Sequence, residues 1–401
     1  MNLENPKKFA MLVEQAHQVA ENVLRPISRK YDKAEHAKPV ELNMLASLLD
    51  GMNEGSGEAV GATSTGSGTS SGSGTGVKNG SNMSAALGIM EMCWGDVGLL
   101  LAMPRQGLGN AAIAAVANEE QLQRFKGKWA AMAITEPGTG SDSANIRTTA
   151  VKDGDHYILN GEKIYVTSGQ RADCVVVWAT LDRAVGKAAI KSFVVEHGTA
   201  GMEVTRLEHK LGIKASDTAA ISFADCRVPA ENLLGTAEVD AQKGFAGVMQ
   251  TFDNTRPLVA AMAIGVAKAS LDRTRELLKD HLSADYDNLP MQASYVEATL
   301  DRLEAEWEAA RLLTLKAAWM ADNRQPNSKE ASIAKAKAGR VANEVTLKCV
   351  ELCGALGYAE TELLEKWARD SKILDIFEGT QQIQLLIVAR RLLGKSSAEL
   401  K

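Results

Sequence analysis

The sequence predicts an α+β protein built in three consecutive parts: a helical first third, a β-rich middle and a C-terminal helical bundle. Two changes of hydrophobic period carry that expectation. Residues 1 to about 128 repeat apolar positions at helical spacing, 129 to 238 shift towards a period of two, and the chain after about 240 turns helical again. The third observation is a Gly/Ser-rich stretch at 55–82, "GSGEAVGATSTGSGTSSGSGTGVKNGSN", which interrupts the first helical part and coincides with neither change of period.

In the first part, "ENPKKFAMLVEQAHQVAENVLRPISRKY" sets Phe9, Leu12, Val13, Ala16, Val19 and Val23 on one helix face, and Pro26 marks a kink or a stop. "MSAALGIMEMCWGDVGLLLAM" is almost wholly apolar and is expected to be a core helix. In the middle part, "TTAVKDGDHYILNGEKIYVTSG" predicts strand, Asp-Gly turn, strand, Asn-Gly turn, strand. "CVVVWATL", "AIKSFVVEHG", "MEVTRL" and "AAISFADCRVP" continue it, as a small barrel or sandwich. Four amphipathic stretches follow, beginning at "FAGVMQTFDNTRPLVAAMAIG" and ending at "QQIQLLIVARRLL", and their short connections predict an antiparallel four-helix bundle. The expected domains are 1–128, 129–238 and 239–401.

A chain of 401 residues with a net charge of −5 is large enough for two or three domains, and its charge argues against nucleic acid as the main partner. No signal-peptide pattern opens it, and no apolar run reaches the roughly 18 residues of a membrane span, so a cytoplasmic protein with no membrane span is expected. Cys93, Cys174 and Cys226 are scattered in apolar segments. Cys349 and Cys353 share a helix face with no His or third Cys near them, so all five read as buried free thiols and no metal site is expected.

Three segments carry possible chemistry. "AITEPGTGSDSA" (133–144) leaves a strand into a turn whose glycines admit close backbone approach, while Thr135 and Ser141 offer hydroxyl and amide donors. Taken alone it also reads as an ordinary polar loop. "KIYVTSG" (163–169) places Tyr165 to stack on a planar ligand and Thr167 to donate to it, or is simply a strand with a buried tyrosine. In "DIFEGTQQIQLLIVARRLLG" (375–394), Thr380 is an N-cap for a helix from about Gln381 to Leu393, and Gly394 suits the residue after its end. Glu378 stands just before that cap, held between rigid elements as an acid/base group should be, or serving only the helix dipole.

"TEPGTGSD", "YVTSG", "EHKLGIKASDTAAISFADCRVPAENLLG", "FDNTRPLVAAMAIG" and "RDSKILDIFEGTQQIQ" occur in that order, and together the chain resembles the acyl-CoA dehydrogenase family over nearly its whole length outside 55–82. The resemblance implies an α domain, a β domain and a four-helix bundle, with FAD between the last two and a fatty acyl-CoA thioester against the flavin. It implies that a base takes the α-proton as the β-hydride leaves for flavin N5, giving a trans-2-enoyl-CoA. That base is the Glu of "EGT", here Glu378; at the alternative family position, before Arg256, this chain has Thr255. The substrate carbonyl then accepts hydrogen bonds from the base residue's own amide and from a flavin ribityl hydroxyl, and water exclusion raises the pKa of Glu378.

By the same resemblance Ile134, Thr135, Gly140 and Ser141 contact the flavin and its pyrophosphate, Ser141 also meeting substrate. Tyr165 replaces the usual Trp against the isoalloxazine, Thr167 reaches N5, and Thr380 and Gln382 meet the cofactor from the bundle side. Asp253, Arg256 and Gly379 lie along the substrate, and an electron-transfer flavoprotein takes the electrons. Met103, Pro104 and Arg105 depart from the usual acyl-cavity pattern, so chain length and type stay open.

Family tetramers complete each FAD with a neighbour's Arg-x-x-Phe-Gly and Gln-x-x-Gly-Gly segments. Here His281 stands where the Arg belongs, no Phe occurs between Phe252 and Phe377, and Glu351 and Ala355 replace the Gln and the second Gly. Losing a cation and gaining an anion both weaken pyrophosphate binding. The expectation is a heteromeric α2β2 enzyme in which a related acyl-CoA dehydrogenase subunit supplies what this chain lacks. An acyl-CoA oxidase, a flavin monooxygenase or a non-catalytic subunit that completes a partner's site are the alternatives. The 55–82 stretch, longer than the roughly 12–15 residues usual for structureless loops, is expected to be a solvated loop within the first domain, away from N5.

Overall fold

In the computed structural model, residues 7–47, 80–105, 107–239, 246–282, 294–396 and 399 are described, without the side chains of 246–254 and 281. The Gly/Ser stretch, apart from its last three residues, lies outside them. Helix α1 (Ala10–Val19) passes through a π turn at Ala20–Leu24 into α2 (Arg25–Lys33). Pro26 sits in the first turn of α2, and the helix does not stop there. The carbonyl that proline displaces lies one turn earlier, where the wider π turn takes up the mismatch. The apolar run expected as one core helix is two, α3 (Ser81–Gly95) and α4 (Val97–Leu101). Asp96 is extended between them (φ −166°, ψ 119°) and its carboxylate accepts the Leu99 N–H at 2.8 Å, an N-cap set in a hydrophobic run. Helices α5 (Leu108–Val116) and α6 (Glu119–Arg124) complete the first part.

Seven strands follow: β1 (Ala130–Ala133), β2 (Thr149–Asp153), β3 (His156–Thr167), β4 (Cys174–Thr180), β5 (Ile190–Glu196), β6 (Met202–Leu207) and β7 (Thr218–Pro229). They form one mixed sheet in the order β1-β4-β2-β3-β7-β6, with β5 also paired to β4. Both faces of β4 are covered. Val175 and Val177 join Tyr157, Phe193 and Ile221 in one core, while Val176 and Trp178 pack with Ala112 and Ile113 of α5. This explains why "CVVVWAT" reads as a continuous apolar run rather than an alternating one. The Asp-Gly turn forms at Gly154 (φ 61°). The expected Asn-Gly turn does not: β3 runs straight through Asn160 and Gly161 with a register shift. Gly161 is needed there because a Cβ would lie 2.5 Å from Thr148 Oγ1, and Asn160 accepts the Asp225 N–H at 2.8 Å.

The last part holds α7 (Ala246–Leu277), α8 (Tyr295–Asp322), α9 (Ser328–Cys353), the short α10 (Leu364–Ser371) and α11 (Gln381–Leu393). Helix α11 begins and ends as its sequence predicts: Thr380 caps it by accepting the Ile383 N–H, and Gly394 is left-handed (φ 63°). The first and last helical parts share a single core, in which Ala86, Met90 and Cys93 of α3 pack with Ala260, Ile264 and Ala267 of α7. The two helices meet at Gly265, where a Cβ would stand 2.2 Å from the Met90 carbonyl oxygen. Gly265→Ala therefore lowers the unfolding free energy by about 1–3 kcal/mol despite alanine's better helix propensity, as denaturant titration would show. All five cysteines are free and buried, and burial pushes the Cys174 and Cys349 thiols up to about 12.

A buried ionic cluster pins the three parts together. Lys366 of α10 donates to Asp96 at 2.7 Å and to Asp370 at 2.5 Å, Ser28 of α2 donates to Asp96, and Asp370 accepts the Ile213 N–H at 2.6 Å. Beside it Arg369 makes a two-point pair with Asp32 at 3.0 and 2.7 Å. Among the described residues, no helix is long and apolar enough to cross a membrane.

Candidate active site

The turn that leaves β1 is built around one buried carboxylate. Glu136 accepts the Arg147 N–H at 2.6 Å, the Thr148 N–H at 2.8 Å and hydroxyl at 2.6 Å, and the Lys163 ammonium at 2.8 Å. Lys163, fully buried on β3, also donates to the Ile134 carbonyl at 3.0 Å. Burial works against the charge of Glu136, but Lys163 and the donors of Thr148 outweigh it and hold its pKa below the usual range. Burial brings Lys163 down to about 8. The result is a turn whose inner atoms are satisfied and whose outer ones face outward. Ile134 is buried, Thr135 half-buried, and Gly140 and Ser141 exposed. No atom lies within 4 Å of where a Gly138 Cβ would stand. A cavity of about 300 Å³ opens nearby, lined by Asn145, Arg147, Thr180 and Arg183 among others.

The same turn is joined to the end of β3, since the Ile164 N–H donates to the Thr135 carbonyl at 2.9 Å. Here β3 slips register against β7 between Lys163 and Val166, and Tyr165 adopts a left-handed backbone (φ 57°). Tyrosine pays a steric penalty for that conformation. Its effect is to turn the ring out of the sheet, leaving Tyr165 62% exposed, so the alternative of a buried strand tyrosine is excluded. Thr167 is half-buried at the strand's end, and Ser168 (φ 61°) donates its N–H to the Asp217 carbonyl.

The third element is the turn before α11. Glu378 (φ 57°) and Gly379 (φ 94°) are consecutive left-handed residues. Gln384 donates through Nε2 to both of their carbonyls, at 3.0 and 3.1 Å, and the buried Lys335 of α9 donates to the Gly379 carbonyl at 2.7 Å. The half-buried Glu378 side chain accepts the Thr255 hydroxyl at 2.8 Å. Loss of solvent raises the Glu378 pKa, partly offset by Thr255 and by the charges of Arg256 and Lys335. Burial lowers Lys335 to about 8 against the attraction of Asp375 and Glu378.

The expected site residues thus fall into two clusters. Ile134, Thr135, Gly140, Ser141, Tyr165 and Thr167 gather at the ends of β1 and β3. Glu378, Gly379 and Thr380 gather at the start of α11, with Arg256 of α7 buried and interacting electrostatically with Glu378. Gln382 is exposed on the first turn of α11. The side chains of Asp253 and His281 lie outside the described residues. Five residues of the site escaped sequence reasoning as participants: Glu136, Lys163, Thr255, Lys335 and Gln384. Only Lys335 carried a readable signal, as a lysine on the apolar face shared by Ala331, Ala334, Ala338 and Ala342.

Comparison with known proteins agrees with this arrangement. Family models match residues 131–226 as "Acyl-CoA dehydrogenase, middle domain" and 242–393 as "Acyl-CoA dehydrogenase, C-terminal domain". The chain is 32% identical over 399 residues to the mitochondrial short-chain specific acyl-CoA dehydrogenase of Rattus norvegicus, covering 98% of this chain and 92% of that protein. It is 33% identical over 324 residues to the caffeyl-CoA reductase-Etf complex subunit CarC of Acetobacterium woodii, covering 79% and 84%. The butyryl-CoA dehydrogenase structure from Megasphaera elsdenii superposes with a TM-score of 0.83 at 31% identity, covering 98% of this chain and 100% of that one. With near full-length identity above 30%, a matching fold and the turns of its motifs in place, the chain belongs to the acyl-CoA dehydrogenase family and is an FAD-dependent enzyme.

Proposed function

We propose that this enzyme oxidises an acyl-CoA thioester to the trans-2-enoyl-CoA with Glu378 as the base that takes the α-proton. The observation that carries this is the Glu378 carboxylate: raised in pKa by burial, oriented by Thr255, and mounted on a turn clamped at both carbonyls. An α-proton beside a thioester is too weakly acidic for a carboxylate in water, so a base made stronger by desolvation and held in place meets the need. Thr255, at the alternative base position, cannot serve as a base itself but keeps one oxygen of Glu378 in register. The charge of Arg256 favours the ionised form of Glu378.

The residues present fit FAD. The outward, strained Tyr165 ring offers an aromatic face, Thr135, Thr167 and Thr380 offer hydroxyls, and the open glycines of the 135–141 turn leave room for a pyrophosphate. When bound, FAD supplies the hydride acceptor. Ser141 and the Arg147 and Arg183 cavity offer donors to the phosphate end of CoA, while Arg256 runs beside the pantetheine and the base, and Gly379 lies along the substrate. Short acyl chains are the first substrates to try, since relatives with that specificity match over nearly the whole chain. An electron-transfer flavoprotein as electron acceptor is supported by the relative named for an Etf complex.

The site is shared with a related subunit in an α2β2 assembly. Supporting this, Glu351 is exposed and paired to Lys348, among the exposed apolar side chains of Leu347, Leu356 and Tyr358. A surface of that kind favours a protein partner, and it carries Glu351 where the resemblance expects a glutamine. Purified alone, the chain is expected to hold well under one FAD per subunit, and co-purification with a related subunit to restore flavin and turnover of butyryl-CoA. A flavin-saturated, active homotetramer would remove the heteromeric reading and leave the assignment of Glu378 untouched.

A further inference from the structure

We infer that Lys335 is a positioning residue for the catalytic turn: its ammonium fixes the Gly379–Thr380 peptide, one residue beyond Glu378, so that the base presents its carboxylate in one orientation. The inference rests on the reading of Glu378 as base. Lys335 is fully buried, and its ammonium reaches from α9 to the Gly379 carbonyl at 2.7 Å. A buried ammonium is a costly way to satisfy one carbonyl, and Gln384 already donates to that same oxygen at 3.1 Å. A neutral donor would suffice for hydrogen bonding alone, so the charge and the reach of Lys335 need another explanation.

The backbone supplies it. Two consecutive left-handed residues, one of them a glutamate, form an unfavourable turn that persists only when its surroundings over-determine it. Gln384 belongs to α11 and moves with the turn it holds, whereas Lys335 belongs to a different helix. It therefore references the turn to α9 and, through the shared core, to the whole bundle. Losing that anchor lets the Gly379 carbonyl swing, and the neighbouring Glu378 peptide swings with it. The base then shifts relative to an α-carbon it must approach closely, and a displacement of about 1 Å costs on the order of 10²-fold in rate.

Lys335 also faces the ionisable groups of the site. Arg256 comes from α7, and Asp375 and Glu378 from the segment leading into α11. With Arg256 it favours the ionised form of Glu378, so deleting the charge raises the pH at which the base becomes active.

Lys335→Met tests this in the FAD-loaded enzyme with butyryl-CoA. The expected result is a kcat lower by about 10²-fold with KM changed by less than about threefold, and an acid limb of kcat/KM displaced to higher pH. Flavin absorbance and melting temperature report whether the variant is folded. Lys335→Arg keeps the charge, but its longer planar guanidinium cannot take the compact ammonium's place in the packed core, so it restores the acid limb and leaves kcat low. Wild-type kcat and pH profile in the folded Met variant overturn the inference, as does a drop in melting temperature with no change in kcat. If the Met variant does not accumulate, the Arg variant decides alone, and wild-type kcat overturns the proposal. Glu378→Gln separates the two readings: activity surviving in it removes the base itself, whatever Lys335 does.

Discussion

Glu378→Gln is expected to slow flavin reduction by a bound acyl-CoA by roughly 10²–10⁴-fold, the range associated with a positioned general base. The amide keeps the volume of the side chain and can still meet the Thr255 hydroxyl, so FAD content and melting temperature stay near those of the parent. The measurement is anaerobic stopped-flow of flavin absorbance after mixing with butyryl-CoA. The pH dependence follows from the raised pKa. Only the ionised carboxylate accepts a proton, so the rate of the parent enzyme climbs as pH rises through a value above the usual carboxylate range. In the Gln variant that limb disappears. Unchanged reduction kinetics in the variant would dismiss Glu378 as the base.

The second large effect lies away from the site. Lys366→Met removes the cation that donates to both Asp96 and Asp370, and these carboxylates are fully buried. Breaking a buried ion pair from one side costs about 3–5 kcal/mol, because the charge left behind loses its countercharge and cannot reach water. Burial and the nearby Asp96 already raise the pKa of Asp370 against the attraction of Lys366. Without the lysine Asp370 is pushed further up, so it is neutral over a wider acidic range. A group whose folded-state pKa is raised costs stability above that pKa and little below it, so the deficit of the variant narrows as pH falls. Urea titrations at neutral and mildly acidic pH measure this, and Lys366→Met/Asp370→Asn should recover part of the loss. A variant as stable as the parent at neutral pH would show the cluster to be energetically idle.

The order of helical, β and helical parts was legible because each depends on local periodicity, which the backbone imposes within a few residues. The ends of α11 were legible for the same reason: a Thr N-cap and a glycine C′ act through bonds reaching three or four residues. Local signals failed where a distant segment intervened. Asn160–Gly161 has the composition of a turn but passes through β3 because Thr148 requires a residue without a Cβ beside it. The apolar run at 83–103 is split at Asp96, whose carboxylate answers to Ser28 and Lys366.

The same division runs through the site. From the sequence alone came the family, the cofactor it implies, and the placing of Glu378, the proposed base, just before α11, since these rest on motifs whose residues are close along the chain. Tertiary structure alone decided what tunes that carboxylate. Thr255, Lys335 and Glu378 are separated by 80, 43 and 123 positions yet lie in one turn's surroundings. Burial and the charges of neighbouring helices set the proton affinity of a carboxylate, and both come from contacts that no local pattern of residues encodes.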